Sequence, residues 1–382
     1  MLHLLGGLSH IWQMIQGNLF PWLEEEIGPL TEMHRKVVMV LEVVRIEQYI
    51  PTGVYKAVGR PHADRRAIAR AFIAKAVMNL PTTVMLLDRL DVDAQLRRIC
   101  GWERRREIPD ASTFSRAFED FSTTHLLEKV HAVLVSRDGD APLVGHISRD
   151  STEIEAREKP APKKKQSVEE PNRKRGRPKK GETVLAKISR LEQQSSGMTL
   201  SEMLADLPTG CDVGAKLNSK GHMETWIGYK LHIDTADGGI PISCILTSAS
   251  LHDSQVAIPL ATMTEQRVTY LYELMDSAYD AKEIKEYGLI HNHVPIIDIN
   301  TRSNIQLRDQ LESEGKARKT LHMKFPEDLR YNERSAAERA NGRLKDDLGG
   351  NMIRVRGHAK IMCHLMFGVL ALTAEQLMRM VT

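Results

Sequence analysis

The chain has 382 residues, enough for two or three domains with well-packed cores, and its 42% apolar and 27% charged residues are ordinary for a soluble globular protein. The net charge of +3 identifies no partner, and neither the lysine-free and arginine-free first 34 residues nor any apolar stretch is typical of a signal peptide or a membrane span. Four widely spaced cysteines exclude a zinc knuckle or a compact disulfide framework, so we expect a soluble, reduced, intracellular protein.

Residues 1–138 are predicted to form a helical N-terminal domain. Apolar residues at helical spacing predict helices over Lys36–Tyr49, Arg65–Leu80 and Thr82–Leu90. A further helix is predicted to start after Asp110 or Ser112, whose side-chain oxygen would cap its first turn. Phe114 and Phe118 lie four residues apart in this helix and would therefore share one buried face.

Residues 139–382 are predicted to form an α/β domain, with a mixed sheet flanked by helices. Apolar runs predict strands over Leu143–Ser148, Tyr229–Ile233, Ile242–Thr247, Tyr270–Met275 and Val294–Ile299. Helices are predicted over Ser254–Gln266, Ala281–Tyr287, Asn332–Asp347 and Gly357–Met380. The turn Asp237–Gly239 is typical of a hairpin between the second and third strands. Three strands followed by alternating helices and strands indicate a mixed sheet.

A basic insertion, residues 156–212, interrupts this domain and shows no core pattern. Residues 159–180 hold ten Lys or Arg, two Glu and four Pro, a net charge of +8 that predicts a disordered arm. Within it Arg175, Gly176, Arg177 and Pro178 resemble the core of an AT-hook, in which Arg side chains enter the narrow minor groove of A·T-rich DNA. The alternative is a plain basic linker that contacts phosphates without preference.

Three carboxylates are candidates for a metal site: Asp150 and Asp276, each predicted to end a strand, and Glu338 in a late helix. Strand ends of an open sheet meet at one edge, where ligand sites form. Clustered carboxylates suit Mg²⁺, and two such ions would support an in-line phosphoryl displacement. The alternative for each acid alone is a turn or capping residue. Four nearby carboxylates are interpreted as surface charges: Glu153, Glu155, Asp280 and Glu283.

The helix that carries Glu338 has an unusual polar stripe. At 100° per residue, four side chains fall within about 60° of arc, namely Tyr331, Arg334, Glu338 and Lys345. One metal ligand flanked by two cations and a phenol suits a DNA backbone that passes a metal site. A row of surface ion pairs is the alternative, and it explains the alignment less well.

These residues carry a resemblance to a known family. The spacing of the four residues in the stripe resembles the Tyr-Arg-Glu-Lys signature of bacterial insertion-sequence DDE transposases. The segments DSTEIEAREKP and DSAYDAKEI resemble the surroundings of that family's first and second catalytic aspartates, and LHDSQVA resembles the segment before the second. IPDASTFSRAF resembles the helical N-terminal region of many members. The resemblance covers roughly residues 60–370.

The resemblance implies an RNase H-like catalytic domain and a bacterial DNA transposase that cleaves and joins strands at inverted terminal repeats. Asp150, Asp276 and Glu338 would be catalytic residues that hold Mg²⁺ or Mn²⁺, with two ions expected, while Tyr331, Arg334 and Lys345 would bind DNA. The implied partners are double-stranded terminal-repeat and target DNA and a second copy of the chain, in the cytoplasm beside the nucleoid and without a membrane. Two alternatives remain: an inactive transposase-derived DNA-binding protein, and an RNase H-like nuclease without strand transfer.

Overall fold

Helices form the N-terminal third of the chain. The computed structural model describes residues 2–51, 63–136, 143–162, 188–217, 221–302 and 304–381, with side chains from residue 6 onward. Within these ranges the helices before the first strand are α1 Leu2–Met14, α2 Phe20–Ile27, α3 Glu32–Val44, α4 Arg65–Val77, α5 Thr83–Val92, α6 Ala94–Cys100, α7 Ala111–Thr123 and α8 Leu126–Val135. This arrangement confirms the predicted helical N-terminal region.

The start of α7 follows the local rules that the sequence suggested. The Asp110 carboxylate accepts a hydrogen bond from the backbone N–H of Thr113 at 2.8 Å and thereby caps the helix. Phe114 and Phe118 are both buried, as predicted, and both pack against Phe72 of α4, with ring centroids 5.6 and 5.2 Å away. Aromatic packing therefore fixes α7 against α4.

The described residues next form a mixed sheet, as predicted, but with six strands where the sequence predicts five. Its strands are β1 Leu143–Glu155, β2 Asp212–Leu217, β3 Met223–Ala236, β4 Ile240–Ser248, β5 Thr269–Met275 and β6 Val294–Ile297. β1 runs antiparallel to β3 and parallel to β5, and β5 is parallel to β6. The first half of β3 pairs with β2, and its second half pairs with both β1 and β4. The predicted hairpin turn over residues 237–239 joins β3 to β4.

Helices cover both faces of this sheet. The helices after β1 are α9 Arg190–Ser195, α10 Leu200–Asp206, α11 Ser254–Glu265, α12 Lys282–Ile290, α13 Ile305–Thr320, α14 Pro326–Tyr331, α15 Ser335–Asp346 and α16 His358–Arg379. On one face α15 packs against β1 and β3. On the other face α11 packs against β3 and β4. The result is an α/β layer structure in which β1, a central strand, lies beneath α15.

The last helix joins the two parts of the protein. α16 contacts α3, α4, α7 and α8 of the helical region and also β4 of the sheet. Among the described residues, α16 alone has the length and apolar composition to cross a membrane, and most of it is buried inside the protein. By those two criteria the expectation that no such stretch exists is wrong. The same composition also suits a helix at the centre of a protein core, because such a helix is apolar on all sides.

Part of the predicted insertion is structured. α9 and α10 each begin with a capping box, in which Ser189 pairs with Glu192 and Thr199 pairs with Glu202. β2 begins at the end of the same region, and its Gly214 lies directly beneath the ring of Trp226, where no Cβ would fit. Residues 163–187, which include the AT-hook-like Arg175, Gly176, Arg177 and Pro178, lie outside the described part of the chain.

Candidate active site

Asp150 and Asp276 lie level with each other on neighbouring strands. In the parallel pair β1 and β5, Ser148 pairs with Leu274. The residues two positions further along are Asp150 and Asp276, so the two acids are at the same level and on the same face. The sequence predicts a strand end at Asp150, and this is wrong, because β1 continues to Glu155 through its pairing with β3. Asp276 directly follows β5, as predicted.

The two aspartates are partly buried and repel each other. Burial, followed by the charge of Asp276, raises the pKa of Asp150 to about 6, although Arg334 and a hydrogen bond from Asn341 act in the opposite direction. Burial also raises the pKa of Asp276, and the charges of Asp253 and Asp298 add to the effect. This crowding of negative charge would be relieved by a cation between the carboxylates.

Two hydrogen bonds hold α15 and the turn that precedes it over β1. Asn341 donates its side-chain N–H to Asp150 Oδ2 at 3.0 Å. The Ser148 hydroxyl donates to the backbone oxygen of Glu333 at 2.9 Å. Because Ser148 and Asp150 share one face of β1, both bonds hold the same stretch of α15 and its leading turn above the aspartates.

Tyr331, Arg334 and Glu338 form one cluster beside these aspartates. Arg334 makes an ion pair with Glu338, and its guanidinium lies 5.6 Å from the ring centroid of Tyr331. The Tyr331 hydroxyl donates to Asp298 Oδ2 at 2.5 Å. The charge of Arg334 lowers the pKa of both site aspartates, which places the cluster next to them.

The backbone of this cluster differs from the single α-helix that the sequence predicts. Residues Asn332–Arg334 form a 3₁₀ turn between α14 and α15. With three residues per turn, Tyr331 and Arg334 lie one directly above the other, whereas an α-helix would separate them by about 60°. This 3₁₀ geometry explains the contact of the guanidinium with the phenol ring.

Lys345 lies further along α15 and is already paired. Its Nζ donates to Glu153 Oε1 at 2.6 Å, and Lys216 of β2 donates to Glu153 Oε2, also at 2.6 Å. Burial alone would raise the pKa of Glu153, but these two hydrogen bonds lower it to about 2. Glu153 is therefore a half-buried link between two strands and a helix, and its interpretation as a simple surface charge is wrong.

Asp253 and Tyr279 are neighbours of the aspartates that were not predicted from the sequence. Asp253 precedes α11 and makes an ion pair with Lys230 at 2.9 Å. Tyr279 is fully buried, and burial together with the charges of Asp253 and Asp150 raises its pKa. Asp253 lies in the segment LHDSQVA, which the sequence analysis did single out, so its aspartate was the available signal. Tyr279 had no such signal.

The available ligands are carboxylate oxygens, which Mg²⁺ and Mn²⁺ prefer. Asp150 and Asp276 fit a divalent ion, because they are adjacent and partly buried, and because the pKa of each is raised by burial and by neighbouring carboxylates in spite of Arg334. Within the described residues no three acidic, His or Cys side chains are arranged to hold a metal ion. Glu338 is instead paired with Arg334, and its side chain is 52% exposed, which leaves it room to change rotamer.

Two family models match the chain. The model described as Transposase DDE domain matches residues 146–374, more than half of the chain, and this range contains Asp150, Asp276 and Glu338. The model described as Transposase domain (DUF772) matches residues 25–120 of the helical N-terminal region. No curated protein and no solved structure matches the chain.

Proposed function

Since this chain belongs to the DDE transposase family, an enzyme family that acts on DNA, we propose that it cleaves and joins DNA strands at the inverted terminal repeats of a bacterial insertion sequence. The observation that carries the proposal is the register of β1 and β5, which brings Asp150 and Asp276 side by side and close to Arg334, the ion-pair partner of Glu338. An RNase H-like mixed sheet with this placement of acids suits phosphoryl transfer.

Asp150, Asp276 and Glu338 are the proposed catalytic residues and metal ligands. Members of the family generally use divalent metal ions, here Mg²⁺ or Mn²⁺, and two bound ions would supply charge stabilisation to the attacking and leaving oxygens. Asp150 and Asp276 would provide shared oxygen ligands, and Asn341 would hold the Asp150 carboxylate in place. Glu338 would join them by exchanging its Arg334 partner for the metal.

Arg334 would then be free to bind DNA. Once separated from Glu338, its guanidinium could donate two parallel hydrogen bonds to a phosphate. The Tyr331 hydroxyl beside it has one proton and would donate it to a phosphate only by giving up Asp298. Lys345 would reach a phosphate only by giving up Glu153, which keeps its second partner Lys216. This ranks Arg334, whose partner Glu338 would move to the metal, ahead of Tyr331 and Lys345 as a contact near the cleaved bond.

The remaining assignments are also proposals. Residues 1–138 would bind the transposon ends, and residues 139–382 would form the catalytic domain with the insertion 156–212 inside it. The AT-hook-like residues Arg175, Gly176, Arg177 and Pro178 would enter the minor groove. Since transposition joins two ends, the active complex would hold two copies of the chain, and it would act on DNA in the bacterial cytoplasm.

The test is a cleavage and joining assay on a plasmid that carries the DNA flanking the coding sequence. With Mn²⁺ or Mg²⁺ we expect nicks that leave a 3′-OH at the element ends, followed by joined products. Asp276→Asn should abolish both products, while Asp309→Asn in exposed α13 serves as the matched control. Binding without nicks would instead indicate a DNA-binding protein, and nicks without joining would indicate a nuclease.

A further inference from the structure

A cavity lies where α4, α7 and α16 meet, away from the aspartates of the active site. Its floor is aromatic: Phe72, Phe118 and Phe367 lie within 5.2 to 6.2 Å of one another, measured between ring centroids. Its wall includes the start of α5 at Thr82 and Thr83. The first-turn N–H groups at the start of a helix carry a partial positive charge that favours an anion.

The charged side chains that line this cavity are all positive. Four cations line it, and among its described lining residues there is no carboxylate: the cations are Lys75, Arg354, Arg356 and Lys360. Lys360 makes an ion pair with Glu119 at 3.0 Å. Neither arginine has an ion pair or a side-chain hydrogen bond within the described part of the chain, so both charges are available.

Lys75 is the most informative of these residues. It lies in the last turn of α4 and is only 9% exposed, yet no described residue forms an ion pair or hydrogen bond with its ammonium group. Burial alone lowers its pKa to about 8, with no carboxylate opposing the shift. Its Nζ is not among the fully enclosed polar atoms of the described residues, so the ammonium group opens into the cavity. A charge with so little water around it is unfavourable without a counter-charge, and an anion in the cavity would supply one.

The two arginines are placed to extend the same site to the surface. Residues 352–356 link α15 to α16 without regular secondary structure, and burial alternates along them, with Ile353 and Val355 packed on the core and Arg354 and Arg356 exposed. Arg354 and Arg356 therefore project to the same, outward side. His364 also lines the cavity, but it is half-buried, desolvation lowers its pKa to about 4, and it hydrogen-bonds the Gly349 carbonyl at 3.0 Å. It therefore contributes no charge at neutral pH.

We propose that this cavity binds a backbone phosphate of DNA, with Lys75 at its base and Arg354 and Arg356 at its mouth. A phosphodiester rather than a free anion is favoured because the two arginines are exposed and continue the positive charge outward, where the rest of a strand would lie. The inference rests on the proposed function, which makes DNA the substrate. It adds a DNA contact on the helical side of the molecule.

The test measures binding of a fluorescent, mixed-sequence duplex to the full chain over a range of salt concentrations. Lys75→Gln should weaken binding about 3- to 10-fold and reduce the slope of log Kd against log salt by about 0.9. Lys129→Gln removes the same charge from an exposed position on α8, outside the cavity, and should change binding less. Arg356→Gln, at an exposed position where folding is not at risk, should lower the slope in the same way.

Thermal denaturation distinguishes an anion-binding role of Lys75 from a purely structural role. If Lys75 serves an anion, Lys75→Gln should raise the Tm of the free protein, because it removes a buried unpaired charge, and inorganic phosphate should raise the Tm of the wild type more than that of the variant. Unchanged DNA binding in Lys75→Gln and Arg356→Gln would overturn the proposal. If the phosphate effect alone were lost, the cavity would be a small-anion site and the DNA assignment would be wrong.

The duplex-binding and cleavage assays together distinguish failure of the proposed function from failure of the cavity proposal. A wild-type protein that binds the duplex but neither nicks nor joins element ends would contradict transposition and leave the comparison of the Lys75 variant valid. A wild-type protein that does not bind the duplex at all would overturn both proposals.

Discussion

At Asp150, burial opposes the charge that the proposed chemistry requires. The carboxylate lies under α15, receives one hydrogen bond from Asn341 and stands beside the like charge of Asp276. Its raised pKa means that folding disfavours the ionised form at neutral pH. Functional sites commonly hold an ionised group in a position where burial disfavours it. A divalent ion would compensate for the negative charge of Asp150.

Replacing this carboxylate by its amide should therefore have opposite effects on stability and activity. In the absence of metal, Asp150→Asn is expected to raise the free energy of unfolding by about 1–3 kcal/mol, because an unfavourable charge is removed. Cleavage should fall by roughly 10³-fold or more. Thermal denaturation in EDTA and the plasmid assay measure the two effects, and Asp309→Asn should alter neither. A variant that is less stable and still cleaves would contradict this account of Asp150.

Glu153, unlike Asp150, should stabilise the folded protein in its ionised form. Its pKa is about 2 in the folded protein, below the ordinary value, so its contribution to stability is present above about pH 4.5 and is lost as the pH falls towards 2. Glu153→Gln is expected to lower the free energy of unfolding by about 1–2 kcal/mol at pH 7.

Urea denaturation at a series of pH values tests this expectation for Glu153. The difference between wild type and Glu153→Gln should shrink between pH 4.5 and pH 2, while Glu312→Gln in exposed α13 should show no difference at any pH. A difference that stays constant down to pH 2 would mean that Lys216 and Lys345 do not stabilise the ionised form.

Sequence reasoning at the scale of residues succeeded where a local pattern carried the information. Asp276 directly follows an apolar strand, and Asp110 precedes a helix with apolar residues at regular spacing, so both positions could be predicted. The pairing of Lys345 with Glu153 could not, because it joins a strand to a helix 192 residues away. The same holds for the contact between Asn341 and Asp150.

Among the elements, those with a clear apolar pattern were predicted and those without it were missed. The strands β4 and β5 lie close to their predicted positions, whereas β3 begins at Met223, well before the predicted Tyr229, because the first five residues of β3 are mostly exposed and show no continuous apolar run. β2 has a single buried residue, Gly214, and α13 has none, so neither shows a hydrophobic period. The capping boxes at Ser189 and Thr199 were a usable signal for α9 and α10.

The close contact between β1 and β3 predicts that a side chain at Gly228 destabilises the protein. Gly228 has φ +155°, and a Cβ there would lie 2.1 Å from the backbone oxygen of Ile154 on β1. Gly228→Ala should therefore force the two strands apart and lower the free energy of unfolding by about 2–4 kcal/mol.

A matched glycine in α13 gives the control for Gly228. Nothing lies within 4 Å of the position that a Cβ on Gly315 would occupy. Gly315→Ala should therefore stabilise the protein slightly, by about 0.5–1 kcal/mol, because alanine favours the helix. Chemical denaturation measures both changes, and equal effects of the two substitutions would show that the close approach of β1 and β3 is absent.

For the whole molecule, α16 determines how the helical region and the sheet depend on each other. One hydrophobic cluster includes residues from α3, α4, α7, β3, β4 and α16. The sequence predicts a boundary near residue 138, but apolar periodicity alone does not reveal which helices share a core. The partners of a helix that is apolar all round are decided by the tertiary fold.

Because this core is shared, we expect the helical region and the sheet to unfold together. Leu370 in α16 is fully buried, and Leu370→Ala should lower the free energy of unfolding by about 2–5 kcal/mol. Hydrogen exchange should show that peptides from α4 and from β3 lose protection by the same amount. Loss of protection in α4 with full protection in β3 would indicate two independent folding units.

The central claim is that Asp150, Asp276 and Glu338 together hold divalent metal, and anomalous scattering from Mn²⁺ in crystals of the protein bound to element-end DNA tests it most directly. The account predicts manganese peaks in contact with the Asp150 and Asp276 carboxylates, with Glu338 turned away from Arg334 towards the metal. Manganese bound elsewhere, or no peak at these carboxylates at saturating Mn²⁺, would contradict it.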